Sequence, residues 1–352
     1  MPVNVLEPLV SVITPTYNHE QFIAQCIQSV CDQSYTNWEQ IVIDDGSCDR
    51  TRDIVSSFRD RRIHYHVQEN LGPFRLAETY NRALKLAKGE LIAILEGDDF
   101  WPVEKLSCLV PAFANPEVVL AYGERDDVDE AGKKQRNKTA ANRLRATLAY
   151  SVLFNNPLGS ATRYMFLAEG RSLVGPCTVI IRRKALEAIG GFQEVTGLPL
   201  TDYPTFLTLS LAGRFYYSPK TMGYFRRHSS SITNCHARTI HDTVSQFTRE
   251  FIEAHADAIP LLQMEQAHLE SNWDEASRRL HFSEGRLLLV RQQWFEARRQ
   301  LRIATTSNSV KVKTAAMAAI GMSYLHLNIE RLMALGGKSA MNTVASNSRT
   351  QS

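Results

Sequence analysis

The chain has 352 residues, 44% hydrophobic and 22% charged, with a formal net charge of +3, values of an ordinary globular protein and not of a fibrous or wholly disordered one. That length allows two domains, or one large domain with an appendage. Six cysteines without a CxxC pair, no signal-peptide pattern over Met1 to Pro8 and no long apolar run suit a reduced, cytoplasmic protein without a spanning helix.

In chain order, Leu9 to Thr14 reads as a buried strand, broken by Pro15-Thr16-Tyr17-Asn18. Phe22, Ile23, Cys26, Ile27 and Val30 then recur at helical spacing between Gln21 and Gln33. Trp38 to Ile43 is a second strand, ending in Asp44-Asp45-Gly46-Ser47. A helix over Thr51 to Phe58 and a third strand over Ile63 to Val67 follow, then Asn70-Leu71-Gly72. Leu76 to Ala87 reads as a helix, with Gly89 as its C-cap signal. Strands alternating with helices predict βαβ units and a parallel sheet. No GxGxxG and no GxxxxGK[ST] follows the first strand, which disfavours a dinucleotide fold or a P-loop enzyme.

The stretch Leu91-Ile92-Ala93-Ile94-Leu95-Glu96-Gly97-Asp98-Asp99-Phe100-Trp101 is the centre of the pattern. An apolar strand runs into three acids, at the strand end where open α/β sheets place their ligand crevice. Such closely spaced carboxylates repel unless a cation neutralises them, and oxygen ligands suit Mg²⁺ or Mn²⁺. A solvated acidic turn would show the same residues.

Val10 to Asn18, Ile43 to Ser47, Asn70 to Gly72 and Leu95 to Trp101, in this order and spacing, resemble the successive motifs of the family 2 glycosyltransferases. The resemblance covers roughly residues 8 to 235 and implies an α/β fold of the GT-A type, a Rossmann-like mixed sheet flanked by helices. It implies an inverting, metal-dependent transfer from a nucleotide-sugar donor, a UDP-sugar being expected first, to a glycan or lipid-linked acceptor in surface polysaccharide or glycolipid assembly. Donor contacts then fall to Pro15, Tyr17, Asp45, Arg75, Glu96 and Asp98, and the ligand of Mg²⁺ or Mn²⁺ to Asp99. The first acid, Glu96, is more often Asp in the family.

The middle region is less regular. Val118 to Tyr122 predicts a strand, Asp126 to Gly132 an acidic turn, and Pro157 to Gly170 a loop. Gly175 to Arg183 resumes as a strand, and Lys184 to Phe192 is a short helix ending in the Gly190-Gly191-Phe192 that the family shares. By the same resemblance Asp202, before Pro204, is the general base; a helix cap would need the same residue type. Tyr216 to Ser218 and Met222 to Phe225 look like a last strand pair. Behind it, Arg226-Arg227-His228 resembles the family's ending, with Arg226 on the diphosphate and His228 on the metal.

The expected division is a catalytic domain over 1–238, a helical region over 239–335 and a disordered tail over 336–352. Phe282 to Thr305 resembles one tetratricopeptide-like hairpin with its turn near Arg291 to Gln293. From Arg278 to Lys338 eleven Lys and Arg face three acids. With the apolar stretch Val310 to Leu335, that region suits either peripheral contact with the inner face of the plasma membrane or a packed, self-associating helix. No nucleic acid is expected as a partner. Two competing classes are a non-catalytic, transferase-like scaffold and a metal-dependent nucleotidyltransferase. The second would want a glycine-rich basic loop where Pro15-Thr16-Tyr17-Asn18-His19 stands.

Overall fold

The structure is a computed structural model that describes residues 7–135, 140–167, 173–255 and 266–327. The chain divides into two compact units. Residues 1–228 and 246–263 make the first, and 229–245 and 264–352 the second. The tail expected over 336–352 lies outside the described residues.

The first unit opens with β1 (Val10–Thr16), α1 (Ile23–Cys31), β2 (Trp38–Asp44), α2 (Thr51–Ser57), β3 (Ile63–Val67), α3 (Leu76–Leu86) and β4 (Leu91–Ile94). It continues through α4 (Lys105–Leu109), β5 (Val118–Val128), α5 (Ala140–Arg145), α6 (Tyr150–Leu153) and α7 (Thr162–Leu167). β6 (Ile180–Arg182), α8 (Arg183–Ala188), α9 (Asp202–Ala212) and β7 (Arg214–Arg226) complete the sheet layer. The seven strands lie in the order β3-β2-β1-β4-β6-β5-β7. β1 to β4 pair in parallel, β6 runs against both β4 and β5, and β5 pairs in parallel with β7.

Every residue of β1, β2 and β4 is buried, as sheets covered on both faces require. α1 turns Ile23, Cys26, Ile27 and Val30, spaced at three and four residues, onto that sheet. These side chains join Val10, Val12, Trp38, Val42, Leu91 and Ala93 in one core. Each fully buried Val, Leu or Ile side chain contributes about 1.5–3 kcal/mol of transfer free energy.

Parallel register aligns the strand ends that carry the site. Thr16 pairs with Asp44 and Ile13 with Ile94. Beyond them the Asp45 amide donates to Thr16 O at 2.9 Å, and the Gly97 amide to Pro15 O at 3.0 Å. All three polar loops therefore leave one edge of the sheet side by side. The loop after β4 is tied across to the far end by reciprocal backbone bonds between Phe100 and Tyr224.

Three local expectations change. The expected pair over Tyr216 to Phe225 is one strand, β7, in which Gly123 pairs with Ser218 and Glu124 with Thr221. Pro219 and Lys220 are the extra residues of that irregularity; a proline without an N–H is tolerated at a bulge on an edge strand. Gly89 does not cap α3, which ends at Leu86. A Cβ there would lie 2.5 Å from Leu9 O and 2.7 Å from Ser11 N, so close approach to β1 demands the glycine. Within the loop expected over Pro157 to Gly170, Thr162 to Leu167 is helical.

The second unit begins with α10 (Ile232–Cys235) and the first part of α11 (Ala237–His255), and continues with α12 (Gln266–Val290), α13 (Trp294–Ala304) and α14 (Val310–Tyr324). α12 and α13 form the expected hairpin about Arg291 to Gln293. Leu289, Ala297, Leu301, Ala304, Ala316 and Ala319 build its core, so α14 packs as a third helix. Gly285 lets the hairpin close, since a Cβ there would meet Leu301 Cγ at 2.6 Å.

Candidate active site

Asp45, at the end of β2, is organised by the loop after β3. Its carboxylate accepts from the backbone amides of Leu71 and Gly72, both at 3.0 Å, and from Gln68 Nε2 at 2.6 Å. Gly46 and Gly72 have positive φ, of 78° and 74°, and allow those turns. Asp45 is thus a fixed acceptor on the strand edge. Arg75 stands on the short turn after that loop, exposed and ion-paired with Glu78. Pro15 is buried within β1. Tyr17 is 45% exposed at the strand end, with its ring free to meet a planar ligand.

The acids after β4 occupy three different environments. Glu96 accepts from the Tyr80 hydroxyl at 2.7 Å, while its Oε2 is buried without a partner. Burial, then the neighbouring Asp98 charge, pushes the Glu96 carboxyl up to about 8. Asp99 is 1% exposed; its Oδ1 accepts the Arg226 amide at 2.8 Å and its Oδ2 has no partner. Burial, with Asp98 and Glu96 beside it, pushes Asp99 well above the usual carboxylate range. Asp98 behaves differently. Burial opposes its charge, yet His19 and His228 hold it below its ordinary value. Its Oδ2 lies 2.8 Å from His228 Nε2.

Asp98 and Asp99, expected as donor contact and metal ligand, thus differ in their surroundings. Asp98 shares a position with His228, whereas Asp99 faces inward and takes the end of β7. Arg226, expected as a donor contact, is held by the protein itself. It is 2% exposed, and its guanidinium donates to Asp98 O, Glu130 O and Gln25 Oε1 at 2.6–2.8 Å while packing on Phe22 and Phe100. Those bonds brace the loop of Asp98.

Asp202 is the first residue of α9, and Thr201, not Asp202, is the N-cap. Burial pushes the Asp202 carboxyl above its ordinary value, opposed by the amides at the helix start and by Arg125. Its charge helps raise the proton affinity of Glu96 and of the Tyr80 hydroxyl. The segment before it is anchored by Asn81, whose side chain exchanges two bonds of 2.8 Å with the backbone of Phe192. Gly191, at φ 91°, leaves room for Asn81; a Cβ would meet its Oδ1.

The sequence reading missed His19, Tyr80 and Arg125. His19 lies with its ring edge-on to His228 at 6.3 Å, and its own proton affinity is lowered by burial. Only its place directly after the Pro15 to Asn18 loop could have singled it out. Tyr80 and Arg125 sit inside a helix and a strand and carry no local signal.

The profile of glycosyl transferase family 2 matches residues 11–190, just over half of the chain. The chain belongs to glycosyltransferase family 2. It is 46% identical over 103 residues to a putative teichuronic acid biosynthesis glycosyltransferase of Bacillus subtilis. It is 39% identical over 121 residues to an Escherichia coli UDP-Glc:alpha-D-GlcNAc-diphosphoundecaprenol beta-1,3-glucosyltransferase. These matches take in 28% and 34% of this chain and 40% and 47% of those relatives, less than half of each. Among solved structures, the mannosyltransferase PcManGT of Pyrobaculum calidifontis, in complex with GDP-Man and Mn²⁺, superposes with a TM-score of 0.52 at 20% identity, over 93% of this chain and 83% of that one. TarS of S. aureus gives 0.51 at 19% identity, over 90% of this chain and 54% of that one. Both likenesses show the fold, the GT-A type.

For a family 2 protein the implied cation can be tested on the donor set. Asp98 and His228 offer one carboxylate and one imidazole nitrogen, and Glu96 Oε2 and Asp99 Oδ2 are buried oxygens without partners. Among the described residues no three side chains converge as a closed cage. Mg²⁺ and related ions are commonly held by one or two protein groups, substrate phosphates and water, so this open set fits. A divalent charge would also offset the burial and the neighbouring charges that raise the proton affinity of Glu96 and Asp99.

Proposed function

We propose that the chain is an inverting sugar transferase, moving a sugar from a nucleotide-diphosphate donor to a hydroxyl of a glycan or lipid-linked acceptor in surface-polysaccharide assembly, on the cytoplasmic side. The observation that carries this reading is the Asp98–His228 pair beside the buried Glu96 and Asp99 after β4, with the Asp202 charge acting on Glu96, at the sheet edge that also carries Asp45 and Tyr17. Tyr17 and the fixed carboxylate of Asp45 would receive the base. The relatives' names support a bacterial envelope glycan as product class, and the TarS complex with UDP, at a TM-score of 0.50, supports a UDP-sugar as first candidate.

Asp98 and His228 would hold the Mg²⁺ or Mn²⁺, which supplies neutralisation of the departing diphosphate. Asp99 is the support, fixing the end of β7 so that His228 stays beside Asp98. Asp202 is the general base, its raised proton affinity suiting it to receive a hydroxyl proton. The acceptor oxygen forms a bond to the anomeric carbon as the bond to the diphosphate breaks, and the hydroxyl proton passes to Asp202. One such displacement inverts the anomeric centre.

A thermal-shift panel of UDP- and GDP-sugars with and without Mn²⁺ tests the reading, because a ligand bound only by the native state raises stability by mass action. A shift that needs both nucleotide sugar and Mn²⁺ is expected. Absence of any such shift across the panel would overturn it.

A further inference from the structure

No helix among the described residues is long and apolar enough to cross a membrane. The helical unit nevertheless has an outward surface unlike an ordinary solvated one. α14 buries Ala316, Ala319 and Ser323 on one side. Val310, Lys313, Met317 and Tyr324, spaced by three, four and seven residues, share an adjoining exposed side. Val310 is 74%, Met317 52% and Tyr324 57% exposed, and Leu325 and Leu327 continue the apolar surface at 70% and 46%.

This surface is also basic. From Arg286 to Leu327 there are seven Lys and Arg against one acid, Glu296. α14 itself contains no acid. On the adjoining helix Arg302 donates to the Tyr324 hydroxyl at 3.1 Å, and Arg298 lies over the Tyr324 ring at 4.5 Å. Among the described residues none of Arg298, Arg299, Arg302, Lys311 and Lys313 is paired with a carboxylate.

We infer that the α13–α14 face is a docking surface for an anionic lipid bilayer, with Met317, Tyr324 and Leu325 entering the headgroup boundary and Arg302, Lys311 and Lys313 meeting lipid phosphates. The charge selects the occupant. A second copy would bring two strongly positive faces together, and a nucleic acid would leave the exposed Val310, Met317 and Leu325 in water. An anionic bilayer satisfies both halves of the surface, as interfacial helices with a basic and an apolar side do.

The test is co-sedimentation of the full chain with phosphatidylcholine vesicles, with and without phosphatidylglycerol, in the absence of donor and acceptor. Failure here therefore leaves the transferase reading intact. Binding is expected only when phosphatidylglycerol is present. Lys311→Gln and Lys313→Gln should each weaken it about fivefold, the worth of one basic residue near a charged leaflet. Met317→Ser with Tyr324→Ser should abolish it. No binding to either vesicle, equal binding to both, or anionic binding untouched by the Met317 and Tyr324 changes would overturn the inference. So would loss of a sedimenting dimer in those variants without any vesicle binding.

Discussion

Asp98 and Asp99 are neighbours in sequence and opposites in environment. Asp98 meets His228 at 2.8 Å, while Asp99 is buried on the amide of Arg226. Asp98→Asn is therefore expected to abolish the Mn²⁺-dependent part of donor binding in a thermal-shift assay. Asp99→Asn, which keeps an acceptor for that amide, should retain it. The reverse result would restore Asp99 as the ligand. Lys105 supplies a separate test of residue-scale electrostatics. It is fully buried, donates to Cys177 O at 2.9 Å and lies over the Trp101 ring at 3.6 Å. Burial holds its proton affinity well below that of an ordinary lysine. The unfolded chain then binds more protons than the folded one between the depressed value and about 10.4, so stability rises with pH across that window. Lys105→Met should flatten the rise in melting temperature on going from neutral pH to about pH 10; an unchanged slope would refute this account of Lys105.

At the scale of elements, two glycine-dependent junctions aim the chemistry. Gly97 lets the turn after β4 pass under Thr16 and His19, which a Cβ would approach to 2.5 Å and 2.7 Å. Gly97→Ala is expected to cost about 1–3 kcal/mol by overpacking, read as a fall in denaturation midpoint. Asn81 clamps Phe192 upstream of Asp202, and Asn81→Ala should cost about 1–3 kcal/mol by leaving buried backbone groups unpaired. Much of this level was legible in the sequence. Continuous apolar runs marked β1, β2 and β4, and the polar residues at their ends marked the site edge. The internal duty of Arg226 was not legible, because a guanidinium that braces carbonyls and one that binds phosphate have the same local sequence. Nor was the difference in surroundings between Asp98 and Asp99, which is set by residues more than a hundred positions away. Pro219 and Lys220 made β7 read as two pieces because a bulge interrupts the alternation on which strand recognition rests.

At the scale of the whole molecule, each unit carries its own core. The helical unit rests on few large side chains, with Leu301 fully buried against Gly285, Ala297 and their neighbours. Leu301→Ala is expected to destabilise that unit by about 2–5 kcal/mol. The donor- and Mn²⁺-dependent stabilisation of the sheet unit should remain. The central claim is that Asp202 takes the acceptor proton, and its most direct test is turnover by Asp202→Asn beside donor binding by the same variant. Unchanged Mn²⁺-dependent donor binding with transfer slowed by about 10²–10⁴-fold is expected, the usual worth of a general base. Wild-type transfer by Asp202→Asn would contradict the account.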